Sequence, residues 1–408
     1  MKRIFVIDAG YGDSGKGRVV SRICNHTLQK LSTDKDNLPL KFNTIVKRFC
    51  GGPQAAHKVV YSPTKSHIYS HFGSGTALGI DTWWESEALV DVETWLEEYT
   101  TLQEKKLIQD STQFYVEPTC KVITPYDWLY NQQIGQELNH GTCGFGINKT
   151  LRRNEDHYKL EVMDLKYEDV LRTKLNLIQE YYLDKYPDHE VHVDIEAFIQ
   201  SCREFITHPI VEIAYPEILE KRKTVIYESS QGLLIDQDYG FFPHVTPASV
   251  GIKNNFRVIK STDEYWYVTR AYHTRHGNGP FPCEPIKEKH FKFTHQEDNK
   301  TNSFQGEFRT GLLNLDLLLY ALEKDFIGRK LVFKPINIVV TCVDNLKKFR
   351  LTYQGEKEKF ENKEDFLIFI LDKIQNILNN RVELYFSESQ YDDKPLINLR
   401  KYLEDEQK

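Results

Sequence analysis

"VIDAGYGDSGKGRVV", residues 6–20, is the stretch that decides the fold. An apolar run ends at Asp8, glycines stand at 10, 12, 15 and 17, Lys16 lies between the last two, and a helix-favouring segment follows at once. Strand, glycine loop and helix in that order build a phosphate cradle. The glycines let the backbone turn tightly, several N–H groups point at one spot beside a helix N-terminus, and the lysine adds a point charge. A bare glycine pattern is an ordinary turn; four glycines, the lysine and the strand–loop–helix setting argue for phosphate. Two features depart from the usual loop. Gly17 stands where a Ser or Thr hydroxyl normally meets Mg²⁺, and Asp13 lies inside the loop. A carboxylate there is repelled by phosphate unless it holds a metal or takes a proton.

Outward from this loop the same alternation recurs. "NTIVKRFC" (43–50), "TVIYES" (224–229), "YWYVTRAY" (265–272), "NIVVTCVD" (337–344) and "RVELYFS" (381–387) read as strands, separated by helical or loop segments. Apolar, β-branched strands alternating with helices predict an α/β fold with a large, mostly parallel central sheet covered by helices on both faces. In such sheets ligands gather beyond the carboxyl ends of the strands, where Asp13, Gly51, Gln231, His273 and Asp344 fall. From about Arg152 to Arg222 the chain turns charged and helix-favouring, as in "YEDVLRTKLNLIQEYYLDKYPD" (167–188) and "DIEAFIQSCREFI" (194–206). This reads as a helical insertion packed to one side, not a second catalytic domain. The expected organisation is one domain over 1–408: nucleotide and acceptor loops in 1–150, a helical subregion in 151–222, and the remaining sheet in 223–408.

Composition narrows the function. A net charge of -6 over 408 residues gives no basic field, so nucleic acid is not the expected partner. The seven cysteines (24, 50, 120, 143, 202, 283 and 342) are scattered and form no Cys-x-x-Cys pair. That favours a reducing compartment over a disulfide framework or a zinc site. With no basic-then-apolar leader and no apolar stretch long enough to span a bilayer, a soluble cytoplasmic protein without a membrane partner is expected.

Four further loops carry chemistry. "RFCGGPQAAHKVV" (48–60) brings Gly51, Gly52, Gln54 and His57 after the second strand, beside the first loop. A lone histidine is usually structural, but here His57 and Asp13 would make an acid and a base at one site. "ESSQGLLIDQDYGFFPHVT" (228–246) offers Gln231, Gly232 and Thr246, and "YHTRHGNGPFP" (272–282) offers Arg275 among glycines. "VVTCVDNL" (339–346) ends a strand in Asp344, which is either a helix cap or an acceptor for the N1–H and 2-amino group of guanine.

These loops, in this order, resemble the adenylosuccinate synthetase family over most of the chain. The family's W-G-D-E-G-K-G-K is similar to residues 11–18, its G-G-H-N-A-G-H to 51–57, and its G-T-T-G-R-G-I-G to 141–148. Its E-G-A-Q-G-T-L-L-D resembles 228–236, its T-R-V-G-x-G-P-F-P 274–282, and its T-K-L-D 341–344. The resemblance implies a GTP- and Mg²⁺-dependent ligase that joins aspartate to the 6-position of IMP. By it, Asp13 takes the purine N1 proton and ligates the metal, with the Ala56 carbonyl as a second ligand. The 6-oxygen attacks the γ-phosphate with His57 as acid, helped by Lys16 and Gln231, and the amine then displaces phosphate. It further implies a GTP site of Gly12, Ser14, Gly15, Lys16, Gly17, Arg18, Lys58, Arg309, Cys342, Val343, Asp344, Ser387 and Ser389. The acceptor nucleotide would meet Asp13, Gln54, Ala55, His57, Thr142, Cys143, Arg153, Gln231 and Thr246; aspartate would meet Arg275, Thr301, Ser303 and Arg309. A homodimer is implied, with Arg152 or Arg153 of one subunit reaching the acceptor phosphate held by the other.

The departures from the family pattern cluster. Ser14 replaces a Glu, Gln54 an Asn and Cys143 a Thr, all around the acceptor; Cys342 replaces a Lys in the guanine loop. Gly306, Glu307 and Phe308 stand where arginines are expected, and Glu307 repels a dicarboxylate. A different purine nucleotide, such as the dGMP used by a bacteriophage branch, or a different amine donor is therefore an alternative, and a nucleotide-binding sensor without ligase activity is a second. The phage branch loses the loop aspartate, whose carboxylate would crowd a 2-amino group, whereas this chain keeps Asp13.

Overall fold

The opening strand is buried on both faces. Lys2–Asp8 forms β1 and Lys16–Leu31 forms α1. Ile4 and Val6 share an apolar cluster with Val19, Val20 and Ile23 of α1, while Phe5 and Ile7 join another with Leu318, Leu322 and Ile370. Alternate side chains thus face different helical layers, which is why the run is apolar throughout. This computed structural model describes residues 1–31, 43–138, 143–189, 191–255, 257–287, 290–291, 306–326, 335–378 and 382–406.

In chain order there follow β2 (Thr44–Arg48), β3 (His57–Ser62), β4 (Lys65–Tyr69), β5 (Asp81–Trp84), α2 (Val92–Glu104) and β6 (Phe114–Val116). Next come α3 (Pro125–Leu138), α4 (Ile147–Glu155), α5 (Glu168–Lys185), α6 (Ile195–Thr207), β7 (Val211–Ile213) and β8 (Thr224–Gly232). The chain continues through β9 (Glu264–Arg270), β10 (Tyr272–His276), β11 (Phe308–Asn314), α7 (Leu315–Phe326) and β12 (Ile336–Thr341). It ends with β13 (Phe349–Tyr353), β14 (Glu356–Phe360), α8 (Lys363–Leu378), β15 (Val382–Phe386), β16 (Ile397–Asn398) and α9 (Leu399–Glu406).

Ten of these strands form one sheet in the order β16-β15-β12-β9-β1-β8-β2-β5-β6-β7. Every neighbouring pair is parallel except β15 with the short edge strand β16. The expected α/β sheet is therefore present, with β1 near its middle. Because the strands run parallel, the ends of β1, β2, β8, β9, β12 and β15 open on one side, and their loops meet there.

Three features differ from the sequence reading. His57 is not in a loop; it is the first residue of β3, which pairs with β4 as an antiparallel hairpin. A second sheet, β10-β11-β13-β14, follows directly on β9. The 151–222 region is not purely helical, since β7 adds a strand to the edge of the main sheet beside β6.

Candidate active site

The first loop is built around a carboxylate that carries no signal in the sequence. Asp8, the last residue of β1, is fully buried and accepts hydrogen bonds from the N–H groups of Gly10 and Ser14, the Ser14 hydroxyl and Lys16 Nζ. Four donors satisfy a charge that burial would otherwise make very costly. They also fix Lys16, 3.1 Å away and almost completely buried, at the start of α1. In sequence Asp8 looks like the end of an apolar strand.

Neighbouring loops pack directly on this one. A Cβ on Gly232 would lie 2.2 Å from the Gly10 carbonyl oxygen and 2.3 Å from the Gly12 nitrogen, so only glycine permits the approach. Leu234 N–H donates to the same Gly10 carbonyl, and the Thr341 hydroxyl at the end of β12 donates to the Ser14 carbonyl. A Cβ on Gly17 would meet the Cβ of His57 at 2.9 Å, which puts β3 against the first turn of α1.

Asp13 holds a left-handed backbone with φ of 58°. For a residue other than glycine this costs of order 1 kcal/mol and is characteristic of functional sites. Arg270, at the end of β9, donates to its carbonyl oxygen at 2.6 Å. The carboxylate is 38% accessible, and its Oδ2 lies 3.2 Å from His276 Nε2. Partial burial works against its charge, but His276, Arg270 and Lys16 outweigh that and hold the carboxyl below the usual carboxylate range. Arg270 and His276 were not identified as site residues from sequence; Arg270 reads there as strand and His276 as part of a glycine loop.

His57 belongs to a buried dyad. Its Nδ1 lies 2.6 Å from Glu228 Oε1 and its Nε2 3.0 Å from the Ser230 carbonyl oxygen. Glu228 also accepts from the N–H and the hydroxyl of Ser74. Burial opposes the Glu228 charge, yet the bonds from His57 and Ser74 and the nearby Arg48 bring its pKa down to about 2. Burial likewise lowers the pKa of His57, against the pull of Glu228. The two tendencies conflict, and geometry decides between them: with both ring nitrogens facing acceptors, only the protonated ring satisfies both. Glu228 is the orienting group that sequence reasoning quoted without assigning a role, because its partners lie 171 and 154 residues away.

The other expected residues are spread over several elements. Gln54 and Gln231 border the same loops, and the side-chain oxygen of each is buried without a partner among the described residues. Cys342, with φ of 57°, opens the short helical turn Val343–Asn345 that carries Asp344, and Val343 N–H donates to the Ser387 carbonyl. Ser389 Oγ accepts from Tyr391 N–H. Arg18 reaches into the same region, donating to the Tyr391 and Lys394 carbonyls. Lys58 follows His57 on β3, Thr246 is buried with its N–H on the Ile235 carbonyl, and Cys143 packs among Leu89, Ile123 and Ile147. Thr142, Thr301 and Ser303 lie outside the described residues.

Two expectations need correcting. Arg153 does not reach outward to a neighbouring subunit. It is fully buried, paired at 2.9 Å with Asp127 of its own chain, and donates to the Val122 and Tyr158 carbonyls; Arg152 is the exposed one. Arg275 and Arg309 do not present free forks to a dicarboxylate. Arg275 donates to the Pro280 and His244 carbonyls, and Arg309 to those of Gly277 and Gly279. The Ala55 carbonyl is taken by Arg48, while no donor among the described residues reaches the Ala56 carbonyl.

The donor set suits a hard cation. Mg²⁺ takes one or two carboxylates and fills its shell with water and phosphate oxygens. Asp13 is an accessible, ionised carboxylate on the phosphate loop. Among the described residues there is no cluster of three His, Cys, Asp or Glu of the kind an all-protein metal cage needs.

Comparison with known proteins gives the family. The model for adenylosuccinate synthetase matches residues 5–351. The chain belongs to the adenylosuccinate synthetase family. Its members are carbon–nitrogen ligases of purine nucleotide biosynthesis, so an enzyme of that class is what the site serves. The chain is 28% identical over 338 residues to the adenylosuccinate synthetase of Thermotoga maritima, covering 79% of this chain and 77% of the relative. It is 26% identical over 431 aligned positions to that of Francisella tularensis subsp. mediasiatica, covering 99% and 92%. In fold it resembles the fully ligated adenylosuccinate synthetase of Plasmodium falciparum, with a TM-score of 0.73, 16% identity and coverage of 97% and 99%. It also resembles the succinoaminodeoxyadenylate synthetase of cyanophage S-2L, solved with dGMP and with dATP as an energy donor, at a TM-score of 0.62, 14% identity and coverage of 99% and 97%. Among the described residues no helix is long and apolar enough to cross a membrane.

Proposed function

We propose that this chain uses GTP to join L-aspartate to the 6-position of IMP through a 6-phosphoryl intermediate, releasing GDP and phosphate. The observation that carries this reading is Asp13: an ionised, accessible carboxylate, on a strained backbone within a phosphate loop whose Gly17 abuts His57 of the buried His57–Glu228 dyad. A site that only bound nucleotide would be weakened by that charge. A site that must take a proton needs it.

In the first step Asp13 takes the N1 proton of the purine, and the electron pair moves to the 6-oxygen. That oxygen attacks the γ-phosphorus in line, GDP leaves, and His57, oriented by Glu228, supplies a proton to the developing charge. Lys16, held by Asp8, meets the phosphates. In the second step the aspartate amine attacks C6 and phosphate departs with the original 6-oxygen. Asp13 and the Ala56 carbonyl are the groups that would hold Mg²⁺, which neutralises phosphate charge when bound. Asp344 accepts from guanine, and the buried amide oxygens of Gln54 and Gln231 meet donors of the acceptor nucleotide.

Retention of Asp13 favours a 6-oxopurine without a 2-amino group, since a carboxylate at N1 crowds that group. The cyanophage enzyme's dGMP and dATP are therefore the competing substrates to include. The test is mass spectrometry of products after incubation with Mg²⁺, GTP or dATP, IMP or dGMP, and aspartate. A succinylated IMP product formed by the wild type and absent with Asp13→Asn is the expected result; a product from dGMP alone, or none from any pair, overturns it.

A further inference from the structure

His276 stands on β10 directly across from Phe308 on β11, and the two rings sit 4.8 Å apart at 47°. The pair makes an aromatic ledge that presents Nε2 to Asp13 Oδ2 at 3.2 Å. Among the described residues Asp13 Oδ1 has no hydrogen-bonded partner. The backbone on both sides of this contact is fixed. Arg270 ties down the Asp13 carbonyl, and Gly277 N–H, next to His276, donates to the Glu307 carbonyl.

We propose that His276 is a positioning residue for the base. Its ring donates Nε2–H to Asp13 Oδ2, which fixes the plane of the carboxylate and leaves Oδ1 to face the purine N1. This rests on Asp13 acting as the base. A short acid on a left-handed loop residue has two free torsions, and one hydrogen bond from a ring held against Phe308 removes most of that freedom. Misplacing a reacting group by about 1 Å costs up to about a hundredfold in rate. No bond to substrate is involved, so binding of the nucleotides is little affected.

The experiment compares His276→Val, which removes the donor, with His276→Gln, which keeps one. Val should lower kcat between about tenfold and a hundredfold with KM for both nucleotides nearly unchanged, and Gln should recover most of the loss. A readout independent of turnover is the ¹⁵N spectrum of the histidine rings at pH 8.5, with His276 assigned from its absence in His276→Gln. A proton on Nε2 is expected. An Nδ1–H tautomer, a wild-type kcat in His276→Val, or a Gln variant as slow as the Val variant overturns the positioning role. Normal turnover by Asp13→Asn removes the base itself, and the proposal with it.

Discussion

Gly232→Ala tests whether the loops after β1 and β8 form one rigid site. The added methyl would lie 2.2 Å from the Gly10 oxygen, 2.3 Å from the Gly12 nitrogen and 2.6 Å from the Tyr11 carbonyl carbon. All three are backbone atoms, so no side chain can rotate away. Ordinary contact begins near 3.4 Å, and the two loops must separate by roughly 1 Å. Overpacking of this kind costs about 1–3 kcal/mol, which lowers Tm by a few degrees in a chain of this size. The catalytic cost is larger, because Asp13 and Lys16 ride on the displaced loop: a shift of about 1 Å is worth about two orders of magnitude in kcat. Gly355→Ala is the control. Gly355 has φ of 79° with nothing within 4 Å of the new methyl, so it loses about 1 kcal/mol of stability and no activity. Steady-state product formation and thermal unfolding of both variants give the comparison. A Gly232→Ala protein with wild-type kcat would refute the claim that these loops hold the reacting groups in register.

Other expectations follow from single interactions. Glu228 and Glu98 are buried carboxyls held near pKa 2; burial opposes their charge but is outweighed, for Glu98 by hydrogen bonds from His67 and His71. Each folded pKa is depressed, so each contributes about 3 kcal/mol of stability at neutral pH, lost as pH falls from about 4.5 through 2; denaturant unfolding at pH 7, 5 and 3.5 reads it, and flat stability contradicts it. Arg153→Ala leaves Asp127 buried and unpaired, which costs about 3–5 kcal/mol; a variant as stable as wild type in the same assay contradicts this. Asp344→Asn should erase discrimination between GTP and ATP, which in a site built on buried hydrogen bonds reaches about four orders of magnitude. Competition between the two nucleotides measures it, and equal use of both by the wild type removes Asp344 from guanine recognition.

What the sequence made legible is what is local. The strand at 2–8, the helix from Lys16, and the glycine loops after four strands all follow from apolar runs and turn residues close together in the chain. What it hid is tertiary. Asp8 looked like part of a strand because its donors come from a loop whose path is fixed only in three dimensions. Glu228 reaches His57 across the sheet, Ser74 reaches Glu228, and Arg270 reaches Asp13 from a strand 257 residues away. The short strands β6 and β7, three residues each, are too brief to show a period. Arg153 was misread for the same reason. An arginine beside a glycine loop looks available for phosphate until Asp127, on another helix, is seen to hold it.

The central claim is that the purine 6-oxygen, freed by Asp13, attacks the γ-phosphorus. IMP labelled with ¹⁸O at the 6-position, incubated with GTP, Mg²⁺ and aspartate, tests it directly through the mass of the released phosphate. The mechanism predicts one ¹⁸O in each phosphate for every succinylated product formed. Succinylated product accompanied by unlabelled phosphate would contradict it.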